Sequence, residues 1–214
     1  MLFELETEGD GIKRVSHKTF EKVTLPDLML QGTPSSPIRI QDVQFLHCRI
    51  SPGTAWLGGQ IELEDVLFEN LDCGDALRIN SECHCRRITI VGKLPKAFWV
   101  RPDDGVTLAR NTTDDSIVFD ISTYTGEVEI IGYAGPEVKK DAERHVSLYS
   151  HWKDEVNWQE LGIGGLSFWR LALQKITSGG TGRGVFSLPT TKSKNYQKTL
   201  EQRARLEEAG LSFD

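Results

Sequence analysis

Pairs of apolar residues, two positions apart, return at steps of 23, 22 and 23 along the first half of the chain: Ile38/Ile40, Ile61/Leu63, Cys83/Cys85 and Val106/Leu108. A second row, Val43/Phe45, Val66/Phe68 and Ile88/Ile90, follows the first three of these after two polar residues. A third row, Leu57, Leu77/Ile79, Phe98/Val100 and Ile117/Phe119, advances by a similar step. Side chains at i and i+2 share one face of a strand, and three short strands with their corners consume roughly 20 to 23 residues. Self-similarity at such a period is the mark of stacked repeats. The spacing therefore predicts a β-solenoid, in which each strand pairs with its equivalent one coil away and the inward residues fill one continuous core.

The stretches IRIQDVQF (38–45) and IELEDVLF (61–68) show the corner directly, with Gln41-Asp42 and Glu64-Asp65 between two short strands. Asp tolerates the tight backbone bend that such a corner demands. On this spacing and this type of rung, residues 19–136 resemble the right-handed parallel β-helix superfold, the class that includes pectin lyase-like proteins. The resemblance implies a fold and no particular activity. About five rungs is short for the polysaccharide lyases of that superfold, which weakens the expectation of a long substrate cleft.

The expected organisation is an N-terminal cap over residues 1–18, a parallel solenoid over 19–136, and a helical C-terminal region over 137–214 that packs on the solenoid. The run Gly132-Tyr-Ala-Gly-Pro136 breaks the strand pattern. After it, Val138, Ala142, Val146 and Tyr149 have helical spacing, as do Leu166, Trp169, Leu173 and Ile176. A third helix is expected from about Ser193 to Ala209, with Thr191 or Ser193 as N-cap and Gly210 as the stop. Val185 to Leu188 reads as a strand. Such a tail would cover an open solenoid end, whose bare strand edges invite aggregation.

The 214 residues carry a net charge of −6, which argues against nucleic acid as the main partner because phosphate neutralisation needs a basic surface. Arg86-Arg87 and the Lys192, Lys194, Lys198 group read as ordinary solvated charge. No apolar run approaches the roughly 20 residues of a membrane helix, and the acidic start lacks the basic n-region of a secretory signal. No membrane association and a cytoplasmic location are the corresponding expectations. Cys48, Cys73, Cys83 and Cys85, with His47 and His84 beside them, superficially suggest a metal centre. Yet Cys83 and Cys85 occupy inward repeat positions while His84 between them points outward, so one ion could not comfortably take all three. The cysteines are expected to be core filler, with no metal and no cofactor.

Outward positions are where a solenoid would carry recognition. In the first row these are Arg39, Glu62, His84 and Thr107, with exposed ion pairs possible between rungs. In the third row Arg78 and Trp99 stand one rung apart, the spacing of a cation-π pair. Asp72, Asp75, Asp103 and Asp104 lie on turns near those strands, as acids do beside one sheet of β-helix glycan enzymes. Candidate binding residues are thus Arg78, Trp99, His84, Glu62, Asp75 and Asp103, with no catalytic residue assignable. The aromatic group Tyr149, Trp152, Trp158, Phe168 and Trp169 is expected to be core between helices and solenoid. The glycine-rich stretch 178–184 has the wrong order of elements for a phosphate cradle and reads as a linker.

Two functions remain. One is a non-catalytic protein-interaction module, an inhibitor or immunity-type protein whose acidity suits a basic partner. The alternative is a carbohydrate-active or sugar-binding β-helix protein that uses Arg78, Trp99 and the neighbouring acids. An enzyme is the less favoured of the two, and the expected partner is another protein before a glycan.

Overall fold

The computed structural model describes residues 5–7, 11–102 and 117–213. After the short β1 (Glu6–Thr7), the first coil consists of β2 (Lys13–Glu21), β3 (Thr24–Leu25) and β4 (Leu28–Gly32). The second consists of β5 (Ile38–Leu46), β6 (Arg49–Ile50) and β7 (Ala55–Gly59). Later coils contribute β8 (Ile61–Glu69) with β9 (Ala76–Asn80), β10 (His84–Val91) with β11 (Ala97–Arg101), and β12 (Phe119–Asp120) with β13 (Glu127–Ile131). The chain finishes with β14 (Val138–Lys139), β15 (His145–Tyr149), α1 (Trp152–Glu155), α2 (Phe168–Ser178), β16 (Arg183–Ser187) and α3 (Tyr196–Glu208).

Two sheets of seven strands result. The first runs β1-β2-β5-β8-β10-β12-β14 and the second β15-β16-β13-β11-β9-β7-β4. Pairing between coils is parallel throughout, and the molecule is a parallel β-solenoid of about five turns. The register aligns the predicted repeats: Ile40 lies against Leu63 and Leu63 against Cys85, while Val43, Val66 and Ile88 follow one another. The rings of Phe20, Phe45 and Phe68 stack at 5.3 and 5.2 Å along the same sheet. Such offset aromatic pairs add about 0.5–1.5 kcal/mol each beyond the area they bury.

Two corner columns explain how the chain turns. His17, Asp42, Asp65 and Arg87 share one register position, and each has a φ between +50° and +54°. Lys22, His47 and Asn70 repeat the same left-handed conformation, and Gly92 completes their column with φ +94°. Asp, Asn and His are the side chains that tolerate this region best, which is why the polar dipeptide interrupts each long strand at the same place. In the second column Lys22, His47 and Asn70 donate their backbone N–H groups to the next coil, at Leu46, Glu69 and Val91. At Gly92 a Cβ would collide with the Asn70 amide, so the last step of that column also needs glycine for space.

The structure departs from the sequence reading at several points, among them Leu166, which is 90% exposed and precedes α2. The first coil begins at Lys13, because Val15 and Phe20 are already inward members of the core. Phe119 pairs with Ile88 in the first sheet, so it belongs to the second row and not the third, which continues instead through Val128 and Ile130. Instead of a helix, Val138–Lys139 form β14 and His145–Tyr149 form β15, the latter buried on both faces, and Ala142 lies in an exposed turn between them. The cap of α3 is Asn195, and neither Thr191 nor Ser193 takes that place. Val106, Thr107 and Leu108 lie outside the described residues.

The second sheet ends in an antiparallel pair. β16 runs against both β13 and β15, and α2 packs on their outer face. Ile131, Val146, Leu148 and Phe186 from the sheet join Trp169, Leu173 and Ile176 from α2 in a second core. Trp152, Trp158 and Phe213 complete it, so the aromatic residues of the tail are packing, as expected. All four cysteines are free and buried.

Removing a ring from the stacked column should leave a cavity that neighbouring coils cannot fill. Phe45→Ala is expected to lower the unfolding free energy by about 3–5 kcal/mol in urea titrations. At the adjacent corner, Asp42→Val should cost roughly 1–2 kcal/mol while Asp42→Gly stays close to the parent.

Candidate functional site

Strand register lines up one outward column across the whole second sheet: Met29, Trp56, Arg78, Trp99, Glu129, Phe186 and Val146. Its far end is roofed by the C-terminal helices, where Phe186 and Val146 are buried. Its near end is not: Met29 is 55% exposed, Arg78 is exposed, and Trp56 and Trp99 are half-buried. The ring of Trp56 folds along its strand over Gly58, where any Cβ would strike the indole.

Trp99 is the centre of a charged cluster. Arg78 Cζ lies 4.9 Å from its ring centroid and Arg101 Cζ 4.1 Å. Arg101, two residues along the same strand, also approaches Glu129 with Nε 2.7 Å from Oε1, a close ion pair without hydrogen-bond alignment. The other oxygen of Glu129 accepts a hydrogen bond from Lys175 Nζ of α2 at 2.5 Å. Glu129 is 3% exposed, so this carboxylate ties the aromatic cluster to the helix. Removing one partner of a buried ion pair costs far more than an exposed pair contributes.

The structure brings together Arg78 and Trp99 and leaves the other predicted residues elsewhere. Glu62 and His84 are register neighbours on the outer face of the first sheet, which looks away from the second across the shared core. There Glu62 accepts from Arg39 at 2.6 Å, the predicted rung-to-rung pair. Asp75 stands at the corner before β9, its side chain 88% exposed and paired with Lys96 at 3.1 Å. Asp103 lies outside the described residues, as does Asp104. Met29, Trp56, Arg101 and Glu129 were not singled out in the sequence. Extending the third row backwards by one repeat from Arg78 reaches Trp56, and the i+2 rule applied to Trp99 reaches Arg101.

Acidic side chains of the first sheet are largely taken by cations on adjacent coils. Arg87 donates to Asp65 at 2.6 Å and to Glu64 at 2.7 Å, and Arg86 lies 3.3 Å from Glu64. Arg87 thereby holds the Asp65 carboxyl below its ordinary range. His47 lies 3.0 Å from Glu69 and His17 2.8 Å from Asp42. Among the described residues no group of three or more His, Cys, Asp or Glu side chains could hold a metal ion. Burial pushes the Cys73 thiol up to about 12, with Asp72 acting in the same direction. Cys83 Sγ donates to the Leu57 carbonyl at 3.4 Å and Cys48 Sγ to the Phe20 carbonyl at 3.1 Å. These thiols behave as apolar filler with a weak donor.

His145, on the inward side of β15, is fully buried, and neither ring nitrogen has a hydrogen-bond partner among the described residues. Burial lowers its pKa to about 4, and the nearby Arg144 adds to the effect. No family model matches the chain, and neither curated proteins nor solved structures show a significant match. Among the described residues no helix is long and apolar enough to cross a membrane.

Two measurements check this chemistry. A thiol reagent such as Ellman's should find none of the four cysteines in the folded protein and all four after denaturation. His145 stays neutral when folded but takes up a proton near pH 6.5 when unfolded. Stability present above that pH should therefore fall as pH drops toward 4, by up to about 1.4 kcal/mol per pH unit. In urea titrations across that window, His145→Gln is expected to flatten the slope.

Proposed function

We propose that the chain is a non-catalytic protein-interaction module, an inhibitor or immunity-type protein for a basic partner. The observation that carries this reading is the open end of the outward column, where Met29, Trp56, Arg78 and Trp99 stand side by side on a rigid sheet. Met, Trp and Arg are the residue types enriched in interface cores, and Trp and Arg dominate their hot spots. A flat sheet held by parallel pairing loses little conformational freedom on binding, which favours affinity.

Charge supports the sign of the partner. Residues 1–136 contain 21 Asp and Glu against 13 Lys and Arg, whereas residues 137–214 contain 10 against 12. The negative balance thus falls within the first 136 residues, although their structurally described part holds only 14 acids against 12 bases. The net charge of −6 on the whole chain gives a field whose sign steers a cationic partner toward the molecule.

The sugar-binding alternative has less in its favour. Stacking of a pyranose needs a free indole face, and two guanidinium groups already lie over Trp99. The neighbouring Asp75 is tied to Lys96 and points away into solvent at the corner.

Affinity capture from native lysate, followed by measurement with the purified partner, tests the proposal. A basic protein should bind with an association rate that falls as salt rises. Trp99→Ala and Arg78→Ala should each weaken binding by about 30-fold, the scale of a hot-spot residue. Absence of any partner, or full retention by a Trp56→Ala/Trp99→Ala double variant, would end this reading. Tryptophan fluorescence that stays constant across a panel of oligosaccharides would remove the alternative.

A further inference from the structure

On the other side of the tail lies a cleft of about 700 Å³, between α1, the turn that follows it and the end of α3. Its walls are Tyr149, Trp152, Val156, Leu161 and Leu211, and its polar rim is His151, Glu155, Asn157 and Glu160. The ring of Tyr149 meets Trp152 edge-on at 5.3 Å, which fixes both aromatic walls. The site is separate from the Arg78–Trp99 face and owes nothing to the partner reading above.

Three features weight the cleft toward negative charge, with Arg205 of α3, which donates to the Leu161 carbonyl at 2.9 Å, as the cation beside it. Glu155 makes only a loose approach to His151, at 3.8 Å, and its side chain is 67% exposed. Glu160 accepts from the Asn157 amide at 2.9 Å, a contact that aims the carboxylate without neutralising it. The final turn of the 13-residue α3 also ends here, with Ala209, Gly210 and Leu211 in the lining, and a helix C-terminus carries partial negative charge. Glu62 and Glu64 of the solenoid ladder sit beside Arg, whereas Glu155 has only a histidine, as Glu69 and Asp42 do, and Glu160 an amide. Aromatic walls with acidic rims are the arrangement that takes organic cations, through the ring faces and the field together.

We infer that this cleft binds an organic cation, a guanidinium or primary ammonium group carried on an apolar stem. The stem lies against Trp152, Val156 and Leu211 while the charged head meets Glu155, Glu160 and the end of α3. Such a group occurs on free small molecules and on the Arg or Lys side chains of a protein.

Calorimetric titration with pentylguanidinium and its neutral isostere pentylurea tests the site, beside an acetylated Gly-Arg-Gly amide and its citrulline counterpart. Both cationic probes should bind saturably, at least about 10-fold more tightly than the neutral ones. Glu155→Gln/Glu160→Gln should lose about 10-fold in affinity with the far-UV circular dichroism unchanged, and the single variants read the same effect should the pair not fold. Tighter binding of the peptide identifies a protein side chain as the source; tighter binding of pentylguanidinium identifies a free ligand. Equal binding of charged and neutral probes, indifference to the glutamine variants, or no saturable heat up to about 10 mM probe overturns the inference.

Discussion

Parallel pairing between equivalent residues one coil apart is the constraint on which the rest of the molecule depends. It requires that neighbouring coils turn at the same places, and it tolerates unequal lengths between the strands: equivalent residues along the first sheet lie 25, 23, 22, 31 and 19 positions apart. The left-handed corners at Asp42 and Asp65, and again at His47 and Asn70, meet that requirement by repeating one unusual backbone conformation in register. Once the corners coincide, Phe stacks on Phe and Val on Val without further choice, because i and i+2 in each strand already face inward. The same alignment sets opposite charges next to each other on the outside, as with Arg39 and Glu62.

Much of this was legible in the chain. The paired apolar spacing gave the register of β5, β8 and β10 residue by residue, and it identified Cys85 as the equivalent of Leu63. The polar dipeptides named the first corner. The second corner was hidden because its residues, Lys22, His47, Asn70 and Gly92, share a conformation and no common side-chain chemistry. The strands at 138–149 were hidden for a different reason. β15 is buried on both faces, so its residues do not alternate, and β14 is only two residues long; Val138, Val146 and Tyr149 happened to fall at helical spacing across the two.

The candidate recognition face was partly legible for the same reason as the fold. Arg78 and Trp99 are one repeat apart, so the period placed them side by side, and the rings and guanidinium groups are in contact as a result. Glu129 could not be reached in that way. Its role comes from Lys175, 46 residues further on, and depends on where α2 docks, which is a matter of tertiary packing. The cleft beside α1 had no sequence signal either, since its lining comes from three short segments with no shared pattern.

The repeated corner has a consequence for how such a molecule can change in length. The first four coils meet one another through the same two bends and the same inward columns, so the contacts above and below any one of them are nearly interchangeable. Copying a block of 22 or 23 residues between two existing coils would carry its own bends with it and leave both ends of the stack untouched. Growth or shortening by whole units is therefore the change this architecture absorbs most easily, whereas a single inserted residue within a strand would turn the later side chains of that strand inside out.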